Sequence, residues 1–238
     1  MSAGHLVVDL GRVLFRFDHA HRLGQLARAC GLPPERVDAL LWGSGFSADC
    51  DQGRYASAEQ VRVHIRATAG FGGTDDELDS AWCSAYSPDP AVVEIVERHR
   101  TGRVCAVFTN NGPLEEEVLT RRHPDLFAGF DRVLFSHRLG HRKPDPAAFA
   151  AVADRLGAAG HDIVFIDDSP ANVAAARTAG WRAIHFRGQH DLVRELAAEQ
   201  GGRPGGPVLL PSPVGARHWC DGRIRTVFTP ASESRTGC

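Results

Sequence analysis

Three short apolar runs in this chain each end abruptly at polar residues. They cover residues 6–8 before Asp9, 104–108 before Thr109, and 163–166 before Asp167 and Asp168. Short runs rich in Val and Ile are typical of strands that are buried on both faces of a parallel sheet. Ligands of open α/β sheets bind outside the carboxyl ends of such strands. If the three strands are neighbours, we expect an acid, a hydroxyl and an acid pair to face one crevice.

From residue 90 onward, helical and strand patterns alternate regularly. The predicted helices cover residues 91–100, 114–122, 146–156, 170–179 and 191–199, and the predicted strands cover 104–108, 132–135, 163–166 and 182–186. Such alternation is typical of βαβ units and a parallel sheet. Right-handed crossovers then place helices on both faces of the sheet. We therefore predict an α/β fold with a Rossmann-like, doubly wound parallel sheet.

Between the first and second strands, residues 18–87 show helical patterns and no strand signal. The predicted helices begin at Asp18, at Pro33 and Pro34, at the capping sequence 57–60 and at the capping sequence 74–77, and they end near residues 30, 42, 69 and 86. Three glycines favour a loop over residues 43–54. Residues 13–17 are interpreted as a short hairpin or flap. The expected division is a core of residues 1–17 and 88–200 with an all-helical insertion at 18–87.

Composition narrows the possible functions without naming one. A net charge of −2 over 238 residues gives no reason to expect nucleic-acid or membrane partners. The six cysteines have no C-x-x-C spacing and the chain shows no signal peptide, so we expect a reduced, cytoplasmic protein without a zinc site. Residues 201–238 are predicted to be a Gly/Pro-rich linker and tail, with a possible hairpin at 217–228 around Asp221 and Gly222.

The polar residues at the strand ends each allow a simple structural interpretation. Asp9 and Thr109 could only cap turns, and Lys143, which precedes Pro144, could be a solvated loop charge. Together they suggest chemistry, because a lysine beside Asp9 would hold it charged and neutralise a substrate anion. The adjacent acids Asp167 and Asp168 repel each other, and a hard cation such as Mg²⁺ shared with Asp9 would relieve that repulsion.

Four motifs in order carry a family resemblance: DLGRVL, FTNN, RKPDP and FIDDSPANVAAARTAG. Over residues 5 to about 200, the chain resembles the haloacid dehalogenase (HAD) superfamily. The resemblance is to the subfamily with a helical cap inserted after the first strand, and to its Asp-Leu-Gly-x-Val branch, in which sugar-phosphate phosphatases occur.

The resemblance implies a Mg²⁺-dependent phosphatase acting on a small phosphorylated metabolite. Asp9 would attack phosphorus and form an aspartyl-phosphate that water hydrolyses. The implied metal ligands are Asp9, the Gly11 carbonyl and Asp168, with Asp167 close by. Thr109, the Asn110 N–H and Lys143 would bind the transferring oxygens. The cap, residues 18–87, would close over the site and choose the leaving group.

Two positions depart from the family pattern. Most phosphatases of the superfamily have a second, proton-donating aspartate where this chain has Gly11, and losing such a group costs about 10²–10⁴ in rate. Arg12 replaces a residue that is usually small, so it either turns toward a surface acid or binds a second anionic group of the substrate. Two alternatives therefore stay open: a binding or regulatory protein with weak or no turnover, and a 2-haloacid dehalogenase.

Overall fold

A five-stranded parallel sheet forms the centre of the protein in a computed structural model that describes residues 4–201, 216–220 and 223–227. The strand order is β5-β4-β1-β6-β7. The strands are β1 (Gly4–Val8), β4 (Arg103–Thr109), β5 (Arg132–Phe135), β6 (Ile163–Asp167) and β7 (Arg182–His185). Because β1 pairs with both β4 and β6, the polar residues that follow these three strands meet at one edge.

Both faces of this sheet are buried. Successive residues of β1 alternate between two apolar clusters, with Leu6 and Val8 in one and Val7 in the other. Helices cover the sheet: α6 (Pro90–His99), α7 (Pro113–Arg122), α8 (Pro124–Ala128), α9 (Ser136–Leu139), α10 (Pro146–Leu156), α11 (Pro170–Thr178) and α12 (Gln189–Gly201). The predicted doubly wound α/β fold is confirmed. The short helices α8 and α9 were not predicted.

The segment between β1 and β4 is mostly helical. Its helices are α1 (His19–Cys30), α2 (Pro34–Asp38), α3 (Phe46–Asp51), α4 (Ala58–Ala69) and α5 (Asp75–Trp82). The N-terminal signals act as expected, since Asp18, Ser57 and Thr74 each accept a backbone hydrogen bond from the first turn of the helix that follows. Of the two expected capping boxes, the reciprocal form occurs at Thr74 and Glu77.

Two sequence-based assignments in this segment are wrong. The loop expected at residues 43–54 contains α3, because Phe46 and Cys50 lie one helical turn apart and bury a common face. The helix expected to continue to about residue 86 ends at Trp82. Residues Tyr86–Pro88 form β3, which pairs antiparallel with β2 (Phe15–Phe17). The strand signal was weak because the partner of β3 lies about seventy residues away in the chain.

The tail has two described strands, β8 (Ala216–Cys220) and β9 (Arg223–Val227), which pair antiparallel. The Asp-Gly turn predicted between them lies outside the described residues, as does the Gly/Pro-rich stretch 202–215. Among the helices of the described residues, none has the length and apolar character needed to cross a bilayer.

A buried ion network connects this helical segment to the helix that follows β4. Arg62 of α4 donates from Nε to Asp79 Oδ1 at 2.8 Å and from Nη2 to Asp79 Oδ2 at 2.9 Å. Arg121 of α7 donates to Asp79 Oδ2 at 2.9 Å, and Arg62 also donates to Glu117 Oε1 at 2.5 Å. Asp79 therefore holds α4, α5 and α7 together through two guanidinium groups.

We expect Asp79→Ala to lower the free energy of unfolding by about 3–5 kcal/mol, because the substitution leaves Arg62 buried without its main counter-charge. Urea denaturation monitored by circular dichroism measures the change. Asp76→Ala on the same helix is the matched control, since its side chain is 94% exposed and such changes stay within about 0.5 kcal/mol. Equal effects of the two substitutions would contradict this role for Asp79.

Candidate active site

Three acids converge at the carboxyl end of the central strands. Asp9 follows β1, Asp167 ends β6 and Asp168 follows it. One carboxylate oxygen from each of the three acids lies within 4.8 Å of the other two. Thr109 ends β4 on the other side of Asp9. The structure thus places the acid, the hydroxyl and the acid pair around one pocket of about 230 Å³, which also includes Lys143, Asn110, Gly11 and Arg12.

Lys143 is the cation of this pocket. Its Nζ donates at 2.7 Å to Asp9 Oδ1, at 2.7 Å to Asp167 Oδ2 and at 2.9 Å to the carbonyl oxygen of Phe108. An ammonium group has three protons, so all of them are bonded within the protein. Direct contact between Lys143 and a substrate oxygen would therefore require one of these bonds to be exchanged. In this structure Lys143 joins the ends of β1, β4 and β6.

The backbone of Lys143 is fixed by Asn110. The Asn110 side chain accepts from the Lys143 N–H at 2.9 Å and donates to the Lys143 carbonyl at 2.8 Å. The side-chain nitrogen lies 4.9 Å and 5.2 Å from the ring centres of Phe108 and Phe165, within cation–π range. A lysine on a loop is thus held almost completely buried, at 1% exposure.

Asp167 is held in place by its hydrogen bonds. Its Oδ1 accepts from the Ser169 N–H at 2.8 Å and from Asn172 Nδ2 at 3.0 Å. Its Oδ2 accepts from Asn172 Nδ2 at 3.1 Å and from Lys143. The role proposed for Asn172 from the sequence, orienting the acid pair, matches this geometry. Because Asp167 is so fully bonded, we expect it to position Lys143 and to leave most metal contact to Asp9 and Asp168.

Burial sets the electrostatics of the site. Burial raises the pKa of Asp9 to about 7, with Asp167 raising it further and Lys143 opposing the rise. Burial also raises the pKa of Asp168, and Asp167 adds to that shift. Burial alone would lower the pKa of Lys143, but Asp9 and Asp167 outweigh it and the pKa is raised. The site therefore carries more negative charge than its single lysine balances well.

The donor set fits a hard divalent cation. Three carboxylates lie close enough to share an ion, and the pKa values of two of them are raised by burial and by mutual repulsion. Carboxylate oxygens are the ligands that Mg²⁺ prefers, and the remaining positions are usually filled by water. Asp9, Asp168 and the nearby Gly11 carbonyl are the residues that would hold the ion.

Sequence reasoning missed two residues that order Thr109. Asn111 donates from Nδ2 to Thr109 Oγ1 at 2.8 Å, and its own Oδ1 accepts from the Tyr86 hydroxyl at 2.6 Å. Asn111 was visible in the FTNN motif but received no role. Tyr86 carried no usable signal, because β3 brings it to the site from the far end of the helical segment. Together they connect the ligand-facing hydroxyl to the β2–β3 ladder.

Comparison with known proteins agrees with this geometry. Residues 51–180, more than half of the chain, match the family model described as haloacid dehalogenase-like hydrolase. The chain belongs to this family. It is also 30% identical over 210 residues to a phosphatase of Mycobacterium tuberculosis, an alignment that covers 83% of this chain and 95% of the relative. The predicted HAD resemblance is confirmed.

Two further members of the HAD family cover less of the chain or are more distant in sequence. The phosphorylated carbohydrates phosphatase of Thermotoga maritima is 30% identical over 110 residues, covering 46% of this chain and 51% of the relative. A HAD family enzyme of Bacteroides thetaiotaomicron, solved in complex with magnesium and inorganic phosphate, superposes with a TM-score of 0.66 at 22% identity. That superposition covers 76% of this chain and 92% of the other chain. At this identity the likeness shows the fold.

The two departures from the HAD pattern lie on the pocket wall. A side chain at Gly11 would approach Tyr86 Cε1 at 3.8 Å and Phe17 Cδ2 at 4.0 Å, which is ordinary contact, so the glycine is not required by space. Arg12 has a left-handed φ of 62°. Its Nη1 lies 3.7 Å from Asp168 Oδ2 and its guanidinium lies 5.5 Å from the ring centre of Phe17. Arg12 thus turns toward an acid of the crevice, not away from it.

We expect Arg12→Gly to preserve stability while weakening anion binding. Glycine adopts a left-handed φ without steric cost, which offsets its larger loss of backbone entropy on folding. Loss of the guanidinium removes a cation that could bind a second anionic group, so bisphosphate ligands should lose more affinity than simple phosphates. Chemical denaturation and isothermal titration calorimetry measure the two effects.

Arg16→Gly is the control, because Arg16 lies in β2 outside the pocket. It should lower stability by about 0.5–1 kcal/mol and leave ligand affinity unchanged. Equal weakening of simple phosphates and bisphosphates by Arg12→Gly would argue against a second anion contact.

Proposed function

We propose that this protein is a Mg²⁺-dependent phosphatase that acts on a small phosphorylated metabolite such as a sugar phosphate, through an aspartyl-phosphate on Asp9. The observation that carries the proposal is the buried pairing of Asp9 with Lys143 beside Asp167 and Asp168. A nucleophile must be ionised and fixed in direction, and the 2.7 Å bond from Lys143 Nζ to Asp9 Oδ1 provides both.

In the first step, a carboxylate oxygen of Asp9 forms a bond to phosphorus and the bond from phosphorus to the ester oxygen breaks. The departing alkoxide takes up a proton. In the second step, water attacks the phosphorus of the aspartyl-phosphate, which releases inorganic phosphate and regenerates the Asp9 carboxylate. Thr109 and the Asn110 N–H are positioned to bind the phosphoryl oxygens, where charge accumulates in the transition state.

Mg²⁺, when bound, would neutralise the phosphoryl charge and orient the phosphoryl group toward Asp9. The proposed ligands are Asp9, the Gly11 carbonyl and Asp168, with Asp167 fixing Lys143 next to them. Lys143 keeps Asp9 ionised against its burial. We propose that the helical segment 18–87 acts as a cap that encloses the leaving group, because α1, α3 and Tyr86 supply residues to the pocket next to Asp9.

The named activities of the relatives support phosphate esters over other substrates. The Mycobacterium tuberculosis relative is a phosphatase, and the Thermotoga maritima relative is named for phosphorylated carbohydrates. The Bacteroides thetaiotaomicron neighbour was solved with magnesium and inorganic phosphate. A 2-haloacid dehalogenase remains the less favoured chemistry, since the three-acid cluster suits a metal that dehalogenases of this superfamily do not use.

A phosphatase screen with and without Mg²⁺ tests the proposal. We expect hydrolysis of phosphate monoesters that requires Mg²⁺ and is abolished in Asp9→Asn, because an amide is a poor nucleophile. The panel includes p-nitrophenyl phosphate, whose leaving group needs no proton and therefore bypasses the absence of an acid at Gly11. Phosphate release measured by a colorimetric assay gives the rates.

Asp154→Asn serves as the matched control, since it makes the same substitution at an exposed position of α10. It should retain full activity. Turnover that survives in Asp9→Asn would refute the mechanism. Ligand binding with no turnover of any ester would favour the alternative of a binding or regulatory protein.

A further inference from the structure

A second pocket of about 340 Å³ adjoins the pocket of Asp9. The two share lining residues, including Arg12, Tyr86 and Asn111, so they are continuous. The far end of the second pocket is lined by Glu115, Asp51 and Arg22, and we name it the Glu115 pocket. Its volume is at the lower end of the range for small-molecule sites, about 300–1,000 Å³. A phosphate at Asp9 would direct its leaving group into this space.

Glu115 has one carboxylate oxygen without a partner. The residue is 4% exposed and lies in the first turn of α7. Its Oε1 accepts from Trp82 Nε1 at 2.7 Å and lies 3.9 Å from Arg22 Nη1. Its Oε2 is buried and has no hydrogen-bond partner among the described residues. An unpaired buried acceptor costs about 1–3 kcal/mol, so a ligand that donates a hydrogen bond here would be favoured.

Arg22 presents the complementary defect. It is 4% exposed, and its Nε is a buried donor with no hydrogen-bond partner in the described part of the chain. Its guanidinium carbon lies 4.5 Å from the ring centre of Trp42 and 5.1 Å from that of Phe17, so aromatic rings fix the group. One pocket therefore contains both an unpaired acceptor and an unpaired donor. A hydroxyl group can satisfy both kinds, whereas an ammonium group can only donate.

The charges also favour a neutral ligand. Asp51 adds a second carboxylate to the wall, and Arg142 Nη1 lies 3.7 Å from its Oδ2. Burial raises the pKa values of Asp51 and Glu115, and the pKa of Asp51 reaches about 8. Three arginines, at positions 12, 22 and 142, already surround these two acids. A cationic leaving group would face that positive charge, and a neutral one would not.

We propose that the Glu115 pocket binds a neutral, polyhydroxylated leaving group, whose hydroxyls donate to the carboxylates of Glu115 and Asp51 and accept from Arg22. The aromatic rings of Trp42, Tyr86 and Phe17 provide apolar walls for its carbon chain. This assignment rests on the proposed phosphatase function, because the phosphate at Asp9 is what orients the leaving group. It makes Glu115 a specificity-determining residue.

Binding to the full-length Asp9→Asn protein tests this assignment without requiring turnover. Isothermal titration calorimetry with Mg²⁺ present compares a hexitol 1-phosphate with hexyl phosphate and 6-aminohexyl phosphate, which share the phosphate and the chain length. We expect the hexitol phosphate to bind at least about tenfold more tightly than hexyl phosphate, since hydrogen bonds to charged groups contribute well over a factor of ten. Adding Glu115→Gln should reduce that ratio to below about threefold.

Glu94→Gln is the control, because it makes the same change on the surface of α6 and should leave the ratio unchanged. Asp51→Asn is a second test variant if Glu115→Gln proves unstable, and it should also reduce the ratio. Equal binding of the hexitol and hexyl phosphates, tighter binding of the amine, or an unchanged ratio in both variants would overturn the assignment. If wild-type protein hydrolyses all three esters equally, the phosphatase function stands and the Glu115 assignment fails.

Discussion

The three hydrogen bonds of Lys143 are the constraint on which the rest of the site depends. They connect Asp9 after β1, the Phe108 carbonyl of β4 and Asp167 of β6, so one ammonium group fixes the ends of three neighbouring strands. A buried lysine is stable only with such compensation, because desolvation of an unpaired charge is costly. The same compensation holds Asp9 ionised. Stability of the strand ends and reactivity of the nucleophile thus have one physical origin.

The helical segment contributes to the site through contacts that extend well beyond the pocket. The β2–β3 ladder places Tyr86 against Asn111, which orders Thr109. Glu115 lies on α7, the helix whose residues Glu117 and Arg121 belong to the Asp79 network. Substrate recognition at the Glu115 pocket and attachment of the helical segment to α7 therefore use the same helix. A change in one is expected to affect the position of the other.

Most of the fold and the acids of the site could be predicted from local sequence. The apolar runs before Asp9, Thr109 and Asp167 identified the strands, because a strand buried on both faces needs an uninterrupted apolar sequence. Helix α3 was missed because nearby glycines obscured a short apolar face. The roles of Tyr86 and Glu115 could not be predicted, since each depends on contacts between residues that are distant in the chain, and neither spacing nor periodicity encodes such contacts.

The most direct test of the account is to locate the phosphoryl group during turnover. Acid quenching of the Mg²⁺-loaded enzyme with excess substrate, followed by borohydride reduction, converts an aspartyl-phosphate to homoserine, and peptide mass spectrometry then identifies the modified residue. The account predicts modification of Asp9 alone, within the peptide that contains His5–Asp9. Steady turnover with modification at another residue, or with an unmodified Asp9 under conditions that trap a control aspartyl-phosphate, would contradict it.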